Sequence, residues 1–287
     1  MEKPAASRTA LATSLMRAAH TRLDPHPLID DSWGDRLVPE SAKRAMASSN
    51  EMLDELLMRS RSYANVITRT RYAEDALQAA LSRGVRQYVL IGAGFDSFAL
   101  RLPKFAANLQ IFEIDFPATQ ELKIGRIAAC SVALPDSVHF IAADLSQESV
   151  AAALAGSPFD TNRLTFFSWL GVTMYLTREA NLATLRSIAS CSPTASEVVF
   201  TYLDERLFQA QSDSFRELEQ RVAALGEPFL SGFNPAELAA NLAGCGLDLV
   251  EDLNGSEAAA RYDRGGELGL GQSMFSHIAL ARVNERA

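Results

Sequence analysis

Short apolar runs alternate along most of the chain with stretches that carry apolar residues at helical spacing. Five such runs are Tyr88 to Ile91, Leu109 to Ile114, Val138 to Ala142, Leu164 to Trp169 and Val198 to Leu203. Because strands that alternate with helices form parallel sheets covered on both faces, the pattern predicts a doubly wound α/β fold. Two later runs, Leu247 to Leu253 and Met274 to Val283, complete a mostly parallel seven-stranded sheet, and the last of them is a candidate antiparallel strand.

The segments outside this alternation predict two helical additions to a Rossmann-like domain. Residues 1–65 contain helical pieces that are interrupted by Asp24-Pro25-His26-Pro27, and proline disfavours helix both at and before its own position. We expect them to form an N-terminal helical cap on a main domain of residues 66–287. Residues near 204–240 are charged and helical in pattern, which predicts an inserted helical lid. Residues 258–271 combine alanines with a glycine-rich stretch and predict a loop.

Composition and charge narrow the class of protein. Hydrophobic residues make up 48% and charged residues 22% of the 287 residues, which is typical of a globular protein. With 27 basic and 35 acidic side chains the net charge is −8, so we expect no nucleic-acid or membrane partner. No apolar run approaches the roughly 18 residues of a membrane span, and the first residues are too polar for a signal peptide. A cytoplasmic location is therefore expected, and a homo-oligomer is left open.

The first predicted strand ends in a glycine-rich turn, Gly92-Ala93-Gly94-Phe95-Asp96. Glycine permits backbone angles that are closed to other residues, and it lets a ligand approach the main chain. At the carboxyl end of a strand, such a turn predicts a ligand-binding loop. The alternative is a plain tight turn, because Ser97 stands where a dinucleotide-binding loop has its third glycine.

Acidic residues follow the next two predicted strands. Asp115 lies 21 residues after Gly94, a distance at which a carboxylate can accept hydrogen bonds from ribose hydroxyls. Glu113 is the alternative, since it points the same way on an extended chain. Asp144 and Leu145 follow the third strand and could bond the edge of an adenine ring and pack on its face, although Asp144 could instead be a helix N-cap. Because ligands bind beyond the carboxyl ends of parallel strands, these loops predict one shared site.

Three motifs together resemble the bacterial leucine carboxyl methyltransferase-like family. They are the glycine turn 92–96, Phe112-Glu113-Ile114-Asp115-Phe116-Pro117 and Gly171-Val172-Thr173-Met174-Tyr175-Leu176. Ser7-Arg8-Thr9-Ala10, Arg17-Ala18-Ala19-His20 and Arg69-Thr70-Arg71-Tyr72 resemble its N-terminal elements, so the resemblance covers most of the chain. It implies an enzyme that transfers a methyl group from S-adenosylmethionine, typically to a carboxylate, and here to a carboxylic acid on a small-molecule acceptor.

The resemblance also implies a set of cofactor-binding residues. Gly92 and Gly94 would lie beside the methionine part of the cofactor, and Arg69 would pair with its carboxylate. The full implied set is Arg69, Gly92, Ala93, Gly94, Asp115, Asp144, Leu145 and Leu170. Two positions depart from the family pattern: Leu170 stands where the family usually has Glu, and Ser97-Phe98 replaces a more usual Thr-Arg.

Methyl transfer from a sulfonium requires the acceptor oxygen to be aligned with the methyl group and water to be excluded. A carboxylate has a pKa of about 4, so it is already ionised at neutral pH and needs no general base. Tyr175 and Tyr202, near the ends of two predicted strands, are the candidate catalytic residues that orient the acceptor, and core packing is the alternative for both. Arg8, Arg17 and His20 of the cap are candidates for contacting an acceptor carboxylate.

No metal site is predicted, because the cysteines Cys130, Cys191 and Cys245 are far apart and the histidines do not cluster. Three other functions remain as alternatives. The acceptor could be a hydroxyl or phenol of a natural product. A nicotinamide-dependent oxidoreductase would use the same glycine turn and ribose carboxylate, and Leu170 in place of Glu is compatible with a cofactor-binding protein that has lost methyl transfer.

Overall fold

A computed structural model describes residues 7–46, 62–210, 213–224, 226–270 and 275–285. In this part of the chain the strands are β1 Gln87–Ile91, β2 Gln110–Asp115, β3 Val138–Ala142, β4 Thr165–Trp169, β5 Glu197–Leu203, β6 Leu247–Asn254 and β7 Ser276–Val283. The helices are α1 Arg8–Leu23, α2 Gly34–Leu37, α3 Glu40–Met46, α4 Tyr63–Ser82, α5 Phe98–Arg101, α6 Pro117–Ala129, α7 Val150–Ala155, α8 Arg178–Ser190, α9 Arg206–Ala210, α10 Asp213–Ala224, α11 Leu238–Ala243 and α12 Gly255–Tyr262. None of these described helices combines the length and apolar character that a membrane span needs.

The strands form one sheet in the order β3-β2-β1-β4-β5-β7-β6. Strands β1 to β5 pair in parallel, and β7 is antiparallel to both β5 and β6. The predicted doubly wound, mostly parallel seven-stranded sheet is therefore confirmed, including its antiparallel last strand. Met274, the predicted start of that strand, lies outside the described residues. Because the chain order reverses between β1 and β4, a ligand crevice is expected beyond the carboxyl ends of these two strands.

Helices cover both faces of the sheet, and two apolar clusters result. Strands β1, β4 and β5 are buried at every position. Phe112 and Trp169 belong to the cluster on one face, and Tyr88 and Phe166 belong to the cluster on the other. A strand that is buried on both faces has a nearly continuous apolar sequence, which explains why the apolar runs located the strands.

The N-terminal helices pack on the sheet domain through a third apolar cluster. Leu15 of α1, Ile67 of α4 and Phe95 of the glycine turn belong to it. Helix α4 begins at Tyr63, so the predicted boundary between residues 65 and 66 falls within its first turn. The division into cap and main domain stays a prediction, and residues 1–6 and 47–61 of the predicted cap lie outside the described residues.

The predicted lid, residues 204–240, contains α9 and α10 in its described part, and its role as a lid stays a prediction. After α10 the chain returns to the carboxyl edge of the sheet. There the Leu230 N–H donates to the Met174 carbonyl at 2.7 Å, and the Phe233 N–H donates to the Leu203 carbonyl at 2.9 Å. This returning segment therefore lies against the turn that follows β4.

Residues 255–262 form helix α12, whose residues 258–262 fall in the first part of the predicted loop, residues 258–271. The Asn254 side chain accepts a hydrogen bond from the Glu257 N–H at 3.0 Å, and the Glu257 carboxylate accepts one from the Asn254 N–H at 2.8 Å. This reciprocal pair is a capping box, which satisfies N–H groups that would otherwise be unpaired at the start of the helix. The loop prediction was wrong for this segment, because its alanines form a helix once the N-terminus is capped.

Candidate active site

The glycine turn after β1 has a conformation that glycine favours at two positions. Gly92 has a φ of +67° and Gly94 a φ of +52°, both in the left-handed region. The N–H groups of Gly92 and Ala93 donate to the Ile114 carbonyl at 2.9 and 3.1 Å, which ties the turn to β2. An added Cβ at Gly92 would lie 2.6 Å from a Val172 side-chain carbon, so the turn also packs closely against the loop after β4.

Asp115 at the end of β2 lies against the glycine turn, as the spacing in the sequence predicts. Its Oδ2 accepts a short hydrogen bond from the Gly94 N–H, and its Oδ1 accepts one from the Phe116 N–H at 2.6 Å. Burial raises the pKa of the Asp115 carboxyl, while these two backbone donors oppose the rise. Each carboxylate oxygen has a second lone pair, so both can still accept a hydrogen bond from a ligand hydroxyl.

Glu113, the alternative ribose ligand, is engaged elsewhere. Its carboxylate forms a short ion pair with the Lys123 ammonium of α6, and both side chains are almost fully buried. Burial raises the pKa of the Glu113 carboxyl, and Lys123 opposes that rise. The structure therefore does not support Glu113 as the ribose ligand and leaves Asp115 as the candidate.

Arg69 of α4 reaches the loop after β4. Its Nη1 donates to Asn65 Oδ1 at 3.1 Å, and within the described part of the chain no carboxylate lies within ion-pair distance of it. Burial lowers the pKa of the Arg69 guanidinium to about 10, so it is still charged at neutral pH. Arg69 is partly buried, and a charge that is partly removed from water and has no charged partner is costly, which makes this guanidinium a candidate site for an anion.

Gly171 makes room for that guanidinium, a role that the sequence analysis missed. Its φ is +73°, and an added Cβ would lie 2.6 Å from Nη2 and 2.7 Å from Nη1 of Arg69. The Gly171 N–H donates to Thr201 Oγ1 at 2.7 Å, and Thr173 Oγ1 donates to the Thr201 carbonyl at 2.6 Å. Thr201 of β5 thus fixes the loop after β4, and no local sequence signal indicated it.

Tyr175 lies in the same loop, on a 3-10 turn formed by Thr173–Tyr175. Its ring centroid is 5.7 Å from that of Phe229, in the part of the predicted lid that follows α10. Burial raises the pKa of the Tyr175 hydroxyl, as does the nearby Glu227 carboxylate, whereas Arg69 acts in the opposite direction. The structure therefore brings together Tyr175, Arg69 and the segment that follows α10, and the role of Tyr175 in orienting the acceptor stays a prediction.

Asp144 and Leu145 follow β3, next to the end of β2. Asp144 Oδ1 accepts hydrogen bonds from the Ser146 N–H at 3.0 Å and from the Ser146 hydroxyl at 2.7 Å. Leu145 is partly buried against the apolar cluster of that face. The N-cap of the following helix α7 is Ser149, so the interpretation of Asp144 as the N-cap was wrong. Its assignment to the adenine stays a prediction.

The contacts of Leu170 and Tyr202 are packing contacts within the sheet domain. Leu170 is partly buried and packs against an apolar cluster of the sheet. The Tyr202 hydroxyl donates to Asp252 Oδ2 at 2.7 Å, and its ring stacks on His277 at a centroid distance of 4.7 Å. These contacts, made to the antiparallel strands, give Tyr202 a packing role and do not support it as a residue that orients the acceptor.

The cap residues expected to face an acceptor are also engaged, apart from the exposed Arg8. Arg17 Nε donates to Asp31 at 2.8 Å, and both side chains are buried. His20 Nδ1 lies 2.9 Å from the Tyr63 hydroxyl, and its Nε2 accepts from the Leu28 N–H at 2.9 Å. The structure does not support the expectation that Arg17 and His20 contact the acceptor, since Arg17 bonds Asp31 and the Phe95 carbonyl and both ring nitrogens of His20 have partners.

Comparison with known proteins shows which family the sequence of this chain resembles. The sequence profile of the family described as leucine carboxyl methyltransferase matches residues 10–189. The YktD protein of Bacillus subtilis strain 168, named as an S-adenosyl-L-methionine-dependent methyltransferase, is 33% identical over 277 residues, which cover 88% of this chain and 90% of YktD. A relative of the same naming from Mycobacterium avium strain 104 is 30% identical over 223 residues, covering 76% of this chain and 71% of the relative.

Solved structures agree on the fold. A DUF574 family protein from Streptomyces avermitilis superposes with a TM-score of 0.60 at 15% identity, covering 96% of this chain and 97% of that protein. The fold, the glycine turn and the relatives define the class as S-adenosylmethionine-dependent methyltransferases, so the cofactor is S-adenosylmethionine. The chain belongs to the leucine carboxyl methyltransferase family. The predicted family, fold class and cofactor are confirmed, and these relatives argue against a nicotinamide-dependent oxidoreductase.

Proposed function

We propose that this methyltransferase methylates an oxygen atom of a small-molecule acceptor, with a carboxylate as the first candidate. The observation that carries the proposal is the arrangement of Arg69, Gly171 and Tyr175 beside the glycine turn. A partly buried cation and a phenolic hydroxyl in one place suit ligands that carry anionic oxygen.

The residues present fit S-adenosylmethionine. When bound, this cofactor supplies an electrophilic methyl group on a sulfonium. Arg69 would hold its carboxylate, because the guanidinium has no carboxylate partner among the described residues. Asp115 would accept hydrogen bonds from its ribose, and Asp144 with Leu145 would flank its adenine. The left-handed turn at Gly92 and Gly94 allows its methionine part to approach the main chain.

Tyr175 would orient the acceptor by donating its hydroxyl proton to an acceptor oxygen. Its raised pKa keeps the hydroxyl protonated at neutral pH, which suits a donor. A carboxylate acceptor needs no base, and His20 of the cap and His277 of β7 each contact another side chain. Positioning and exclusion of water are therefore the tasks left to the protein.

A hydroxyl acceptor is the second candidate, because of Glu227. This residue belongs to the part of the predicted lid that follows α10, and its carboxylate raises the pKa of the Tyr175 hydroxyl. Its Oε2 is buried and has no hydrogen-bond partner in the described part of the chain. Burial raises the pKa of the Glu227 carboxyl, and a carboxylate with a raised pKa can take a proton from a hydroxyl more readily than an ordinary one.

The test is to incubate the protein with methyl-labelled S-adenosylmethionine and matched panels of carboxylic acids, phenols and alcohols. Labelled methyl esters release methanol in mild base, whereas methyl ethers do not, so the product identifies the acceptor oxygen. We expect base-labile product that is lost in Arg69→Gln, strongly reduced in Tyr175→Phe and retained in Glu227→Gln. Base-stable product that is lost in Glu227→Gln would replace the carboxylate with the hydroxyl. Label on nitrogen or carbon would overturn the proposal.

A further inference from the structure

The carbonyl of Phe95, inside the glycine turn, is held by side chains from the N-terminal helix. Arg17 Nη2 donates to this carbonyl at 2.7 Å, and the Ser14 hydroxyl lies 3.3 Å from it. Phe95 directly follows Gly94, and its ring is buried in the cluster that joins the cap to the sheet domain. The cap thus fixes the turn through both the main chain and the side chain of one residue.

Asp31 in turn fixes Arg17. Its Oδ2 accepts from Arg17 Nε at 2.8 Å, and its Oδ1 accepts from the N–H groups of Trp33 and Gly34 at 3.1 and 3.0 Å. The Arg17 side chain is 6% exposed and the Asp31 side chain 0%, so solvent does not screen the pair. Burial alone would raise the pKa of the Asp31 carboxyl, but Arg17 and Arg101 reverse the direction and lower it. The carboxylate therefore stays ionised and holds the guanidinium in one orientation.

A turn with two glycines needs such support. Free glycine residues sample many backbone conformations, and ordering them when a ligand binds costs conformational entropy. Ligands bind more tightly when the loop is already ordered, because that cost is removed from the binding step. Arginine suits the task, since its planar fork can donate to a carboxylate and to a carbonyl at the same time.

We propose that Arg17 and Asp31 are positioning residues of the cofactor site, which hold the Phe95 carbonyl so that the glycine turn is ordered before S-adenosylmethionine binds. The inference rests on binding of that cofactor at the glycine turn. Neither residue contacts the cofactor in this account. They act through the backbone of residues 94–96.

The test uses the double variant Arg17→Met/Asp31→Asn, which removes both charges without leaving one of them buried and unpaired. Its asparagine keeps an oxygen for the N–H groups of Trp33 and Gly34. We expect the Kd for S-adenosylmethionine, measured by calorimetry, to rise about tenfold, equivalent to about 1.4 kcal/mol. Arg17→Lys keeps a charge beside Asp31 but lacks the fork, so we expect an intermediate loss, and this variant serves if the double variant does not fold.

The matched control is Arg22→Met, which removes an exposed ion pair to Asp35 from the same helix. We expect it to leave affinity unchanged. Hydrogen exchange separates positioning from general stability: amides of residues 92–97 should exchange faster in the double variant, while the strands stay protected. An affinity within twofold of wild type, or unchanged exchange in this turn, overturns the inference. Failure of the wild-type protein itself to bind S-adenosylmethionine would instead overturn the cofactor site on which it rests.

Discussion

Replacing Gly171 with alanine, which adds one methyl group, is a direct test of the cofactor site. Its φ of +73° lies in the left-handed region, and an added Cβ would lie 2.6 Å from Nη2 of Arg69. The contacted atoms are at the end of a flexible side chain. We therefore expect the Gly171→Ala variant to fold and to displace the guanidinium from the place where it would meet the cofactor carboxylate.

The Gly171→Ala substitution should lower both the free energy of unfolding and the affinity for the cofactor, and these two effects are measured separately. A non-glycine residue in the left-handed conformation lowers the free energy of unfolding by about 1–2 kcal/mol. A displaced guanidinium loses hydrogen bonds to the cofactor carboxylate that are worth about 1.5–3 kcal/mol, since bonds to charged groups are stronger than neutral ones. The Kd for S-adenosylmethionine should then rise roughly 10- to 100-fold.

Gly266→Ala is the matched control for the backbone cost. Gly266 has a φ of +68°, and no described atom lies within 4 Å of an added Cβ. Urea unfolding should show similar losses for both variants, whereas calorimetry should show weakened binding only for Gly171→Ala. In a double-mutant cycle, Gly171→Ala should add little to the loss in Arg69→Gln if it acts through that side chain. Equal affinity in the two alanine variants would refute the reasoning.

Three further predictions concern other parts of the site and the cap. Asp115→Ala should weaken S-adenosylmethionine binding by about 1.5–3 kcal/mol in calorimetry, because the ribose loses an ionised acceptor, and unchanged affinity in a folded variant would contradict its assignment. Tyr175→Phe keeps the ring beside Phe229 and should leave cofactor affinity within about twofold, or about 0.4 kcal/mol, while turnover falls about tenfold or more; equal turnover would remove the hydroxyl from the mechanism. Burial lowers the pKa of His20, whose Nε2 accepts from the Leu28 N–H. The contribution of neutral His20 to the free energy of unfolding should therefore be complete above the unfolded pKa of about 6.5. It should decrease as the pH falls below that value, because the unfolded chain binds the proton first. An identical decrease in His20→Gln would exclude this histidine as its source.

The sequence predicts the sheet well because burial determines the strands. Each central strand is covered on both faces, so its apolar run is continuous and its position can be recognised without knowledge of its neighbours. The contact between Asp115 and Gly94 was also predictable, since parallel strands bring the ends of β1 and β2 together at a fixed spacing. Helix α12 could have been predicted from Asn254 and Glu257, whose spacing is that of a capping box.

The roles of Arg17, Tyr202 and Gly171 could not be predicted in the same way. Arg17 lies 78 residues from Phe95, and Tyr202 lies 50 residues from Asp252, so each contact depends on how whole elements pack. A local pattern identifies a polar residue on a helix or strand but not the partner that satisfies it. Gly171 belongs to the loop after β4. A side chain is excluded there because α4 places Arg69 against it, and that contact depends on the tertiary fold.

The departure from the family pattern at Leu170 bears on the charge of the site. The family usually has Glu at this position, directly before Gly171, where Arg69 reaches the loop. Leu170 instead packs into an apolar cluster, so the protein supplies no carboxylate there to balance the guanidinium. Since a partly buried cation without a charged partner is costly, the missing negative charge favours an anionic group on the ligands themselves. The cofactor carboxylate meets that need at Arg69, and a carboxylate acceptor would gain from the same field, whereas Glu227 opposes it from the lid segment. The choice between a carboxylate and a hydroxyl acceptor therefore depends on which of these two charges lies nearer the acceptor oxygen. The Glu227→Gln variant separates the two, whereas Arg69→Gln removes the cofactor contact with either acceptor.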